Sequence, residues 1–168
     1  MPHSFLSYRL LRFYKAFQTN CRSQLLRQVV FAYLLYFFGL RPCEVDNDAH
    51  KEGNFLIARN RKRKNGKIEY KKIPIPMQAQ GLIDWNKPLT FQTQSKYAQD
   101  ELIKDLLGGK TGYYLRHTFS TVCQQYVRPD IVDIWMGDSP QRLVGKVYTH
   151  FPDEFMLEQM QKVQFPMP

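Results

Sequence analysis

Apolar positions in this chain fall mostly at helical spacing, interrupted once by a short strand-like stretch. Leu6 to Phe17 mixes leucines and aromatics with Arg9, Arg12 and Lys15, which predicts an amphipathic helix with a basic face. A second helix is predicted from about Ser23 to Phe38, and its Val29–Phe38 portion is wholly apolar, as expected of a helix buried on most sides. Gly39 is placed to end it, and Pro42 suits the first turn of a new helix, which leaves Arg41 at a junction between helices. Asn47 to Asn54 is polar and turn-rich. Phe55-Leu56-Ile57 begins a strand, Asn65-Gly66 marks a tight hairpin, and Lys67 to Ile75 returns. Alternation on the return strand is imperfect: Ile68 and Tyr70 share one face and Ile73 and Ile75 the other, which suggests a bulge near Lys71-Lys72. Pro88 to Thr93 reads as extended or looped. Helices are then predicted over Ser95–Leu107, Tyr114–Tyr126, Ile131–Met136 and Asp153–Val163, with glycines after the first and third of these. The expected fold class is therefore mainly α with a small antiparallel β-sheet (α+β).

The length of 168 residues suits a single domain, and 43% hydrophobic content suffices for a core. The longest apolar run is half of the roughly 20 residues that a membrane-spanning helix needs. No secretory leader is visible, and three separated cysteines without a CxxC pair point away from a zinc site and towards a reducing compartment. A soluble, cytoplasmic protein is expected. The net charge of +9 points to a polyanionic partner, nucleic acid before an anionic membrane. That charge is concentrated: Arg59, Arg61, Lys62, Arg63, Lys64, Lys67, Lys71 and Lys72 lie in one hairpin with a single acid, Glu69. Such a ribbon repels itself unless an anion lies against it, so phosphate contact is the expected use, positioning a duplex rather than reading bases.

Four short motifs flank and follow this hairpin. They are Gly39-Leu40-Arg41-Pro42-Cys43-Glu44, Leu115-Arg116-His117-Thr118-Phe119, Trp135-Met136-Gly137-Asp138-Ser139 and Val147-Tyr148-Thr149-His150. Each is modest alone. In this order, over about Leu25 to Phe151, they resemble the tyrosine recombinases, or phage integrases, whose motifs read GLRxxE, HxLRHTF, LGH and YTH. The resemblance implies the catalytic-domain fold of DNA breaking-rejoining enzymes, double-stranded DNA as partner, no cofactor and no metal. It implies that Arg41 and Arg116 clamp the non-bridging oxygens of a phosphodiester, a task that suits the planar guanidinium fork. Tyr148 would be the nucleophile that holds the 3′ phosphate covalently. A hairpin lysine, Lys64 by its place before the turn and otherwise Lys62, would protonate the leaving 5′ oxygen. His117, His150 and Glu44 would play supporting parts, Glu44 by orienting Arg41 or a backbone group; a surface charge is the plainer reading of Glu44.

Two positions depart from the family pattern. Tyr113 stands for the histidine three residues before the second arginine, and Asp138 stands for the histidine of LGH. Tyr113 retains a hydroxyl that can donate. An ionised Asp138 cannot donate and repels phosphate, so either it points elsewhere, for example to cap a helix, or the enzyme is slow or divergent. The chain is expected to be one catalytic domain, residues 1–168, with a core at about 25–151, a hairpin at 55–76, a C-terminal helix and tail at 153–168, and no N-terminal core-binding domain. The apolar residues of the C-terminal helix either pack on their own domain or dock on a neighbour in a tetramer on DNA. The alternatives to a recombinase are a type IB topoisomerase, a decayed integrase-fold DNA-binding protein without activity, and a basic RNA-binding protein.

Overall fold

The computed structural model describes residues 23–62, 68–87, 89, 104, 107–138 and 151–166. Helix α1 spans Ser23–Phe38, and a single 3-10 turn follows at Pro42–Glu44. Strands β1 (His50–Glu52), β2 (Phe55–Arg59) and β3 (Tyr70–Pro74) form an antiparallel sheet in the order β1-β2-β3. Then come α2 (Met77–Gln80), α3 (Gly112–Cys123), α4 (Pro129–Met136) and α5 (Asp153–Lys162). Among the described residues the structure is mixed, mainly helical, with one small sheet. The helices predicted over Leu6–Phe17 and, apart from two positions, over Ser95–Leu107 lie outside the described residues, as does the Asn65-Gly66 turn.

Helix α1 is central because nearly every residue from Val29 to Phe38 is buried. A helix apolar all round needs neighbours on all sides. Helix α3 packs along it, while α4 and α5 pack against β3. Among the described residues, no helix is long and apolar enough to cross a membrane.

Three local expectations are corrected. The polar stretch 47–54 is not all turn, because His50–Glu52 forms an exposed edge strand paired to β2. Its three residues carry no apolar alternation, so only backbone pairing reveals it. The new helix at Pro42 lasts one turn, because the Asp46 carboxylate captures the Asp48 amide at 3.0 Å and offers the backbone a local turn instead. No bulge occurs at Lys71-Lys72, since the β2–β3 register runs unbroken from Phe55↔Pro74 to Arg59↔Tyr70. Exposure alternates from Tyr70 to Ile73, and Lys71 takes an inward position beside Ile73.

The C-terminal segment packs on its own domain. Met156, Met160, Val163 and Phe165 are buried. The Phe165 ring lies 5.9 Å from Phe119, 5.3 Å from Phe37 and 5.7 Å from Tyr36, centroid to centroid. The Tyr36 hydroxyl donates to the Pro166 carbonyl at 2.8 Å. The tail thus closes the α1–α3 core. Phe165→Ala should lower unfolding free energy by about 3–5 kcal/mol in urea titrations. A loss under about 1 kcal/mol would mean that the tail adds little to this core.

Candidate phosphate-binding site

The site begins where α1 ends. Gly39 has φ 57°, and a Cβ there would run into the Phe119 ring. Only glycine both turns the chain and admits α3 so closely. Arg41 is extended, as a residue before proline tends to be. The 3-10 turn then brings Glu44 back under it. Glu44 is fully buried, and its carboxylate accepts from the Arg41 amide (2.8 Å), Arg41 Nη1 (2.7 Å), the Arg61 amide (3.2 Å) and Lys71 Nζ (2.5 Å). Burial alone would raise its pKa, but the Lys71 charge and the donors from Arg41 and Lys71 outweigh that and hold it below the ordinary carboxyl range. Burial in turn pulls the Lys71 ammonium down to about 8, against the opposing charge of Glu44.

Arg116 comes from the buried face of α3 with Leu115 and Phe119, and is 5% exposed. Its Nη1 donates to the Gly39 carbonyl, and its Nη2 donates to the Met136 carbonyl at 3.1 Å. Both acceptors lie at helix C-termini, where the peptide dipoles favour a cation. Gly137 ends α4 at φ 69°. A Cβ there would collide with the side chains of Lys71 and Asn60, so glycine is required for space as well as for backbone. Asn60 fastens the hairpin to this corner by donating to the Gly137 carbonyl at 2.8 Å.

Asp138 follows immediately and lies between the arginines. Oδ1 accepts from Arg41 Nη2 at 3.0 Å and Oδ2 from Arg116 Nη2 at 2.7 Å; Lys62 Nζ also binds Oδ1. Partial burial would raise this carboxyl, but Lys62, Arg116 and Arg41 hold it lower than usual, so it is an anion at neutral pH. Two guanidiniums thus address the two oxygens of one O–C–O group. Two guanidiniums so placed can hold the O–P–O of a tetrahedral oxyanion in the same way.

No family model matches the chain, and no curated protein matches it. Among solved structures, the integrase from mycobacterium phage Brujita superposes with a TM-score of 0.66 at 15% identity, covering 97% of this chain. The fold is that of a phage integrase. The present chain spans 57% of that integrase's length. The XerH site-specific recombinase in its pre-cleavage complex with difH substrate aligns over 89% of this chain and 48% of its own, at 17% identity and a TM-score of 0.48.

On this integrase fold, the structure brings together Arg41, Arg116, Glu44, Lys62, Lys71 and Asp138. Asp138 does not cap a helix or turn away; its side chain enters the clamp. Lys71 is corrected from a DNA-facing residue to a buried partner of Glu44, because strand alternation turns it towards the core. The described part of the basic ribbon is charge-balanced in the fold. All five described basic residues of the hairpin have acidic partners: Arg59 with Asp48, Arg61 with Asp46, Lys62 with Asp138, Lys71 with Glu44 and Lys72 with Asp153. Those acids come from outside the hairpin sequence. Tyr113 lies one turn before Arg116 on α3 and is about half exposed, and His117 is exposed on the same helix. Arg63, Lys64, Lys67, Tyr148 and His150 lie outside the described residues. Asn60 was not singled out in the sequence; a lone buried asparagine at a strand end gives no signal there. Lys71 gave one, its inward parity with Ile73 and Ile75.

Glu44→Gln leaves Lys71 and Arg41 without a buried counter-charge and should cost about 3–5 kcal/mol at pH 7. The fold favours ionised Glu44, so its contribution is complete above the ordinary carboxyl value of 4.5 and fades as pH falls through the lower folded value. Denaturant titrations of both proteins across this window should show the gap closing on acidification. A gap that widens towards acid pH would contradict an ionised Glu44.

Proposed function

We propose that this chain is the catalytic domain of a site-specific DNA recombinase that cleaves and rejoins strands through a covalent 3′-phosphotyrosyl intermediate. The observation that carries this reading is the convergence of Arg41 and Arg116 on the two oxygens of one anion, within an integrase fold. Arg41 and Arg116 hold the non-bridging oxygens of the scissile phosphate and offset the charge that develops on them. The Tyr148 phenol oxygen attacks phosphorus and gives up its proton as the P–O bond to the 5′ oxygen breaks. A hairpin lysine protonates that oxygen. Lys64 is the donor suggested by sequence position, whereas Lys62 has geometric support because its ammonium already reaches the anion between the arginines. Rejoining reverses these steps, with the 5′ hydroxyl displacing tyrosine, so the bond energy is conserved. Tyr113 is the proposed proton-relay group beside the nucleophile, and His117 and His150 are supporting groups.

The proposed partner is double-stranded DNA, in keeping with the net charge of +9. The proposed location is the cytoplasm, on the nucleoid when DNA is bound. Assembly into a tetramer on DNA would use the outer face of α5, including exposed Asp153, Glu154 and Glu158, or would require the tail to leave its own core. A second reading is favoured by one observation: Asp138 fills the seat that phosphate needs, as it could in a decayed integrase that only binds DNA.

A nicked suicide duplex carrying the crossover site separates the two. Wild type should form a covalent protein–DNA adduct that survives denaturant, and Tyr148→Phe should form none. Arg41→Ala should slow adduct formation by about 10²–10³-fold, as expected for loss of one oxyanion donor. Binding without any adduct would decide for the non-enzyme. DNA affinity should also fall as salt rises from about 50 to about 200 mM, but by less than the roughly 10³-fold seen when six or more unpaired cations meet phosphate. The reason is that Arg59, Arg61, Lys62 and Lys72 exchange intraprotein carboxylates for phosphates rather than releasing counterions alone. No salt dependence would remove the hairpin from the interface.

A further inference from the structure

Asp138 is more than a poor replacement for a donor. We infer that its carboxylate is a tethered competitor seated in the phosphate site, and that it restricts the clamp to phosphates presented by a polyanion. This inference rests on the recombinase reading for the identity of the polyanion, but not for the occupancy of the seat.

Four observations support it. The first is that Asp138 is not needed to position either arginine. Arg41 is anchored through its Nη1 to Glu44 at 2.7 Å, and Arg116 through its Nη1 to the Gly39 carbonyl and its Nη2 to the Met136 carbonyl. The second is that Asp138 takes N–H groups that this anchoring leaves over, including the second N–H of Arg116 Nη2. Arg41 Nη2 donates to Oδ1 and Arg116 Nη2 to Oδ2, one oxygen each. The third is that the seat is reachable, since the Asp138 side chain is 25% exposed whereas those of Arg116 and Glu44 are 6% and 0% exposed. The fourth is that its backbone is held independently, the Asp138 amide donating to the Asp133 carbonyl at 2.8 Å behind the left-handed turn at Gly137. The side chain can therefore leave the arginines while the chain on which it sits keeps its place.

The consequence is one of competition. A group tethered a few bonds from its site acts at an effective concentration of about millimolar or more. A free phosphate ion must displace it one-for-one and gains little. A phosphodiester in a duplex is itself held in place by neighbouring phosphates on the hairpin, so it can win the same exchange. When it does, Asp138 leaves the arginines, and the Lys62 ammonium that it held becomes available to the phosphate. If the seat is closed about 90% of the time or more, apparent affinity for a free anion falls about tenfold or more.

Asp138→Asn removes the charge at nearly constant shape, and Asp138→Ser removes it with a shorter side chain, in case the amide itself obstructs the seat. Inorganic phosphate binding should be measured by calorimetry for wild type and both variants, each checked for folding by circular dichroism. The expected result is a gain of about tenfold or more in phosphate affinity in both variants; a change that merely loosened the fold would lower affinity. Unchanged or weaker phosphate binding by the folded variants overturns the inference. The suicide-duplex assay run on the same proteins keeps the two ideas apart. Tighter phosphate binding with no adduct from any protein would leave the tethered competitor standing and remove the recombinase. An adduct from wild type with unchanged phosphate affinity in the variants would do the reverse.

Discussion

A guanidinium cannot be carried into a protein interior unless nearly every N–H finds an acceptor. Arg116 is such a group, 5% exposed on the inner face of α3. Two of its acceptors are carbonyls at the ends of different helices, Gly39 after α1 and Met136 in the last turn of α4. Those ends must therefore meet over one side chain. Both helices are terminated there by left-handed glycines whose missing Cβ atoms make the approach possible, against Phe119 in one case and Lys71 and Asn60 in the other. The architecture of the site follows from satisfying this one buried cation.

The remaining charges extend the same logic outward. Arg41 leans on Glu44, Glu44 on Lys71, and Lys71 reaches back towards the Met136 carbonyl at 3.4 Å. Buried pairs of this kind contribute little net stability relative to apolar packing, because desolvation offsets attraction. Their effect here is to fix direction. Glu44 restrains Arg41 from below, so that Nη2 faces the seat shared with Arg116. An anion site made this way is organised before any ligand arrives, which is what stabilising charge in a transition state requires. In this chain the organised seat is filled by Asp138, so preorganisation and access are set by different residues.

Charge read along a chain and charge read in space gave different pictures of the hairpin. Locally, eight bases face a single acid. In the fold, Glu44, Asp46, Asp48, Asp138 and Asp153 approach from three other segments and pair with the five described bases. Most of these pairs are exposed and individually weak. Together they offset, at these five positions, the self-repulsion that the sequence alone suggests. Lys71 illustrates the same point at one residue. Its charge grouped it with its neighbours Lys72 and Lys67, yet its parity on β3 placed it with Ile73, and parity decided.

The amino-acid sequence by itself determined the helices whose apolar periodicity and terminal glycines are strong, namely α1, α3, α4 and α5, and the existence of a β-hairpin after Phe55. These are encoded locally, by spacing and by turn chemistry. Motif resemblance also picked out Arg41, Arg116 and position 138 as residues that belong together. Tertiary structure alone decided what they do to one another. That Asp138 occupies the space between two guanidiniums, that Glu44 is a buried counter-charge rather than a surface one, and that β1 exists at all depend on contacts between segments far apart in sequence. Electrostatic partnership and strand pairing act through space, and no local pattern of residue types records which distant group will complete them.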